Sequence, residues 1–115
     1  MEWMIQLYLK PNCSTCRKAR ALLCERGFAF REIDLNDGLS EAELDRLIGE
    51  RDYRQFLNTR NELYRERGMR LNTPSRAEAL RLMSKHPNLI KRPILVRRER
   101  ILLGCDAEAI GALGE

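Results

Sequence analysis

Histidine is nearly missing from this chain: His86 is the only one in 115 residues. Cysteine is scarce as well, with Cys13, Cys16, Cys24 and Cys105 unevenly spread. That is too few, at too irregular a spacing, for a disulfide framework. A structural zinc site takes about four ligands, and no second close cysteine or histidine pair is there to supply them. Long apolar runs are absent too, since crossing a bilayer takes about 20 such residues, and no membrane partner is expected. The opening Met-Glu-Trp-Met has neither the basic stretch nor the cleavage site of a signal peptide. The expected compartment is therefore cytoplasmic, where thiols stay mostly reduced. Lysine is limited to Lys10, Lys18, Lys85 and Lys91, so the net charge of +4 is carried mainly by arginine. Acidic residues are interleaved with it, and no basic block or recognition motif appears, so direct nucleic-acid binding is not expected. Arginine does favour oxyanions, which it grips through two parallel hydrogen bonds.

What is present is a globular composition, 43% hydrophobic and 33% charged, of a length that suits one domain. Its focus is Asn12-Cys13-Ser14-Thr15-Cys16-Arg17-Lys18-Ala19. An apolar run, Met4 to Leu9, precedes it and predicts a strand. The segment from Ser14 to Arg26 predicts a helix. Positions i and i+3 share a helix face, so Cys13 and Cys16 can meet as a disulfide. The first N–H groups of a helix lack intrahelical partners and sit at the positive end of its dipole. Both effects stabilise a thiolate at Cys13, and Arg17 and Lys18 add positive charge nearby. The plainer readings are two ordinary thiols or half of a zinc site. A C-x-x-C in a cytosolic chain favours redox or nucleophilic chemistry over both.

Further along, the first helix is expected to stop at Gly27, and Phe28–Leu35 alternates as a second strand. Sequential parallel strands around a helix give a β-α-β unit. From Asn36 to about Pro87 the chain turns polar and helical. Ser40-Glu41-Ala42-Glu43, Thr59-Arg60-Asn61-Glu62 and Ser75-Arg76-Ala77-Glu78 each carry a capping-box pattern. They predict three helices, with a short turn near Asp52 to Leu57. Tyr53, Phe56 and Tyr64 are expected to pack. Ile94–Val96 and Ile101–Leu103 then predict a hairpin turning at Arg97 to Arg100, and Asp106 a cap for a last helix, Ala107 to Leu113. A β-α-β unit plus a β-β-α unit, with C-x-x-C after the first strand, implies an α/β thioredoxin-like fold. Residues 1–115 form one such domain, with about 37–88 as a helical insertion.

Four stretches make the chain resemble the arsenate reductase ArsC and Spx family. They are Asn-Cys-Ser-Thr-Cys-Arg-Lys-Ala-Arg at 12–20, Asn-Thr-Arg at 58–60, His-Pro-Asn-Leu-Ile-Lys-Arg-Pro-Ile-Leu-Val at 86–96, and Gly104 before the last helix. The resemblance implies a thioredoxin-like (glutaredoxin-like) fold with a helical insertion. It makes Cys13 the reactive cysteine, with Asn12, Ser14 and Thr15 supporting it in the loop. Arg60 and Arg92 match two arginines that hold an oxyanion beside that cysteine. Read alone, Arg60 is a solvated helix charge and Arg92 a surface ion pair. Pro93 matches a proline that is cis and faces the cysteine loop.

The resemblance also implies the chemistry. The Cys13 thiolate attacks arsenate or a disulfide sulfur, with Cys16 as the resolving thiol. No cofactor is bound, and glutathione, glutaredoxin or thioredoxin supplies the reducing thiol. Two departures point toward Spx, a transcriptional regulator that binds the RNA polymerase α-subunit and uses its C-x-x-C as a redox switch. Arsenate reductases of the family carry a third anion-binding arginine where this chain has Gly104, and they often lack the second cysteine. Arsenate turnover is accordingly expected to be poor, and Gly104→Arg to raise it. A general thiol-disulfide oxidoreductase is the remaining alternative. Cys24 and Cys105 are expected to be inert thiols, and His86, at a helix end, is not expected to act as a base.

Overall fold

The structure, a computed structural model, describes residues 4–114. Two compact units divide the chain, one made of residues 4–34 and 92–114, the other of Leu35–Lys91.

The first unit is built on a four-stranded sheet. Strand β1 (Ile5–Leu9) lies parallel to β2 (Phe30–Asp34) and antiparallel to β3 (Ile94–Arg97), which pairs antiparallel with β4 (Arg100–Leu103). The order across the sheet is β2-β1-β3-β4. Side chains alternate across a strand, so Ile5, Leu7 and Leu9 all point to one face. There they join Cys16, Ala19 and Leu23 of α1 (Ser14–Glu25), Leu95 of β3, and Ile110 and Leu113 at the C-terminal end. Helix α5 (Ala107–Ala112) packs beside α1. The expected α/β thioredoxin-like arrangement is what forms.

Helix α1 ends in a Schellman motif: the N–H of Phe28 donates to the Leu23 carbonyl and that of Gly27 to Cys24, with Gly27 at φ +70. That exit occupies Phe28 and Ala29, so β2 begins at Phe30 rather than at Phe28. It stops at Asp34 because Leu35, fully buried, opens a 3-10 turn over Leu35–Asp37. Helix α5 is capped by Asp106, whose carboxylate accepts from the N–H groups of Glu108 and Ala109. The hairpin turns on Arg98 and Glu99, with Arg98 at φ 56.

Within the second unit, α2 (Glu41–Ile48) opens with a complete capping box between Ser40 and Glu43. Helix α4 (Arg76–Lys85) shows only half of one. Ser75 accepts from the Glu78 N–H, but the Glu78 carboxylate turns to Arg81 instead. The third pattern starts its helix late. The Asn61 N–H donates to the Asn58 carbonyl, and Asn58 Oδ1 accepts from the Arg60 N–H. This turn consumes Thr59 and Arg60. Asn61, not Thr59, then caps α3 (Glu62–Glu66) through the Leu63 N–H. Phe56 is fully buried, Tyr64 is half-buried, and half-buried Tyr53 donates its hydroxyl to the Pro74 carbonyl.

Candidate active site

The site forms where the C-terminal ends of β1 and β2 meet the start of β3. Past Leu9, the chain turns through Lys10-Pro11-Asn12, closed by the Cys13 N–H donating to the Lys10 carbonyl at 3.0 Å. Cys13 is the N-cap residue of α1, with extended backbone at φ −91 and ψ 125. That position places it beside the first free N–H groups of the helix. Burial pushes the Cys13 thiol up. The Cys16 N–H, the Cys16 thiol, the Arg92 guanidinium and the Thr15 N–H outweigh that and hold it below the ordinary thiol range. Arg17 and Lys18 are exposed on α1; the cation hydrogen-bonded to the sulfur is Arg92.

Cys16 has the opposite character. It is fully buried, and its sulfur accepts the Lys10 N–H at 3.5 Å. Burial pushes its thiol up to about 11, helped by the Cys13 sulfur and its charge, while the Lys10 N–H and the Arg92 charge pull the other way. All four cysteines are free thiols.

Arg92 is half-buried, and its peptide bond to Pro93 is cis. The Pro93 carbonyl accepts the Gly104 N–H at 2.8 Å. The last β1–β3 pair is Tyr8 with Ile94. Continued beyond the strand ends, that register sets Pro93 against Leu9 and Arg92 against Lys10. Continued likewise, the β3–β4 register sets Arg92 against Cys105. Cys105 is half-buried against the cluster that holds Cys16, whereas Cys24 is exposed.

Asn12, Ser14 and Thr15 are exposed around the cysteine loop, and Thr15 contributes its backbone. Arg60 is exposed within Leu35–Lys91. His86 is exposed at the end of α4, its N–H bound to the Leu82 carbonyl. The structure thus gathers Cys13, Cys16 and Arg92 within the sheet-bearing unit, and leaves Arg60 in the helical one.

Lys10 escaped the reading of the sequence. It is only 9% exposed. Burial and the adjacent Arg92 charge lower its pKa, against the opposing pull of Asp34, Cys13 and Cys16. Asp34 pairs with Leu9 at the end of β2. The usable signal was position: a lysine closing a strand immediately before a cysteine loop, where ligands of parallel sheets gather beyond the strands' carboxyl ends. Gly104 also gains a reason. It sits at φ 90, which side chains with a Cβ rarely adopt.

A β-α-β/β-β-α sheet that sets a C-x-x-C at the start of its first helix, with a cis-proline segment alongside, defines a thioredoxin-like thiol protein. The chain belongs to the ArsC family, whose family model matches residues 8–113. It is 31% identical over 112 residues to the global transcriptional regulator Spx of Streptococcus mutans, covering 95% of this chain and 82% of that protein. Spx of Bacillus subtilis is 29% identical over 110 residues, covering 93% and 84%. Among solved structures, an arsenate reductase from Vibrio cholerae superposes with a TM-score of 0.84 at 30% identity, covering 96% of this chain and 98% of that one. Among the described residues, no helix is long and apolar enough to cross a membrane.

Proposed function

We propose that the protein is a thiol-dependent oxidoreductase of the arsenate-reductase type, working in the cytoplasm, with Cys13 as nucleophile and Cys16 as resolving thiol. One observation carries this reading: Cys13 is the N-cap residue of α1, where the Cys16 and Thr15 N–H groups and the Arg92 guanidinium hold its thiol below the ordinary range. A thiolate so held attacks an electrophile without a separate base.

With a disulfide substrate, the Cys13 thiolate attacks one sulfur and expels the other as a thiolate, leaving a mixed disulfide. Cys16 then loses its proton, attacks the Cys13 sulfur, and releases the second substrate thiolate. Two of the influences that keep Cys16 protonated come from Cys13. The negative charge among them disappears once Cys13 is in a disulfide, so Cys16 becomes easier to ionise when it is needed. Glutathione, glutaredoxin or thioredoxin returns the Cys13–Cys16 disulfide to two thiols. With arsenate, Cys13 displaces a hydroxide from arsenic. A second thiolate then attacks the Cys13 sulfur, and arsenite leaves with the electron pair of the broken sulfur–arsenic bond. Arg92 holds the oxyanion.

A second reading is favoured by a specific pair of observations, the presence of Cys16 and the similarity to proteins named as Spx. In that reading the Cys13–Cys16 couple is a redox switch on a regulator that binds the RNA polymerase α-subunit. Purified protein assayed for arsenate turnover with glutathione and glutaredoxin, beside RNA polymerase capture from an extract, separates the two. The enzyme reading expects turnover that Cys13→Ser abolishes. Capture of polymerase without turnover replaces it with the regulator.

A further inference from the structure

Lysine is among the residues least often buried unless paired. Lys10 closes β1 with 9% of its surface exposed, and its backbone is tied to both cysteines. The β1–β3 register, one step past Leu9 and Pro93, sets it against Arg92, and the charges of Arg92, Asp34, Cys13 and Cys16 all act on its ammonium. Two cations and one carboxylate therefore lie near enough to the Cys13 loop for their charges to act on one another.

A thiolate that attacks an anion brings negative charge onto negative charge. Arg92 supplies one positive charge against that repulsion, and Gly104 supplies none. We propose that Lys10 is an anion-binding residue of this site, its ammonium and the Arg92 guanidinium together holding a small anionic group, a carboxylate or a tetrahedral oxyanion, against the Cys13 sulfur. The proposal rests on Cys13 being the nucleophile. Asp34, at the end of β2, acts on the ammonium, and the Lys10–Arg92–Asp34 group carries a net positive charge that balances the Cys13 thiolate.

Iodoacetate and iodoacetamide test this directly. Both alkylate a thiolate by displacing iodide, and they differ by one negative charge. Their rate constants at Cys13, followed by mass spectrometry on the full chain, give a ratio that cancels the intrinsic reactivity of the sulfur. Lys10→Met is expected to lower the iodoacetate-to-iodoacetamide ratio by about three- to tenfold, the effect of removing one nearby charge in a partly screened site. Lys10→Arg keeps most of the ratio, and Arg100→Met, with the same charge change at the hairpin end of the sheet, leaves it unchanged. Protection of wild-type Cys13 by sulfate, lost in Lys10→Met, marks the anion as a tetrahedral oxyanion; protection by S-methylglutathione, lost likewise, marks it as a carboxylate. An unchanged ratio in Lys10→Met, or an equal slowing of both reagents, overturns the proposal and leaves Lys10 as a prop for the loop. The iodoacetamide rate against pH reads the nucleophile separately: an ordinary thiol titration there removes Cys13 as the activated thiol, and this proposal with it.

Discussion

Two chemically identical thiols, one helical turn apart, acquire opposite acidities here. Cys13 stands at the helix start, where N–H groups and a guanidinium converge; Cys16 lies one turn in, among Leu7, Ala19 and Leu23. Alkylation against pH should therefore modify Cys13 first, with an apparent pKa below that of a free thiol, and Cys16 last. Equal titration of the two would remove the activated nucleophile. Stability follows the same asymmetry. The folded state holds the Cys16 proton more tightly than the unfolded chain does, so this contribution is complete below the ordinary thiol value and is lost as pH rises through about 11. Cys13 works in reverse, contributing above the ordinary value and losing that contribution as pH falls through its lowered one. Urea midpoints of the wild type should fall across that alkaline window, and those of Cys16→Ala should fall less steeply. Removing the Arg92 contact is worth about 1.5–3 kcal/mol. Arg92→Ala should accordingly slow Cys13 attack on an oxyanion by about ten- to a hundredfold, as read by single-turnover kinetics.

Single elements show how much of the chain could be read in advance. The caps at Ser40, Ser75 and Asp106 act through side chains a few residues from their targets, so local pattern located them. Ser40→Ala should cost about 1 kcal/mol in a denaturant titration, because it removes the hydroxyl that accepts the Glu43 N–H in the α2 capping box. Helix α3 was misplaced by two residues because the Asn58 side chain, tied to the Asn88 carbonyl and the Arg60 N–H, imposes a turn on the apparent cap. Lys10 was missed for a related reason. Both β1 and β3 are short apolar runs that could pair in several registers, and only the pairing of Tyr8 with Ile94 brings Lys10 to Arg92. Gly104 carries a backbone cost that the sequence did not show. At φ 90, an arginine there is strained by about 1–3 kcal/mol. Gly104→Arg should lower the thermal midpoint and give no gain in arsenate turnover; a gain without loss of stability would show that the 104 segment relaxes readily.

At the scale of the whole molecule, the cysteine motif and the run from His86 to Val96 were enough to reach the family. They did not distinguish enzyme from regulator, because a thiolate at a helix start serves both. One property of the chain does follow from its layout. Cys13 lies before Leu35–Lys91 and Arg92 after it, yet the guanidinium acts on the thiol. Closing so long a segment is entropically slow, and contacts of high sequence separation form late. A chain emerging from the ribosome has its C-x-x-C long before it has the guanidinium that activates it. The nascent thiol thus lacks its final acidity until β3 docks on β1. Pulse alkylation during refolding should show Cys13 reaching its full acidity together with β1–β3 pairing. Reactivity in this protein is in that sense a late product of folding, which spares the half-made chain from crosslinking through its own nucleophile.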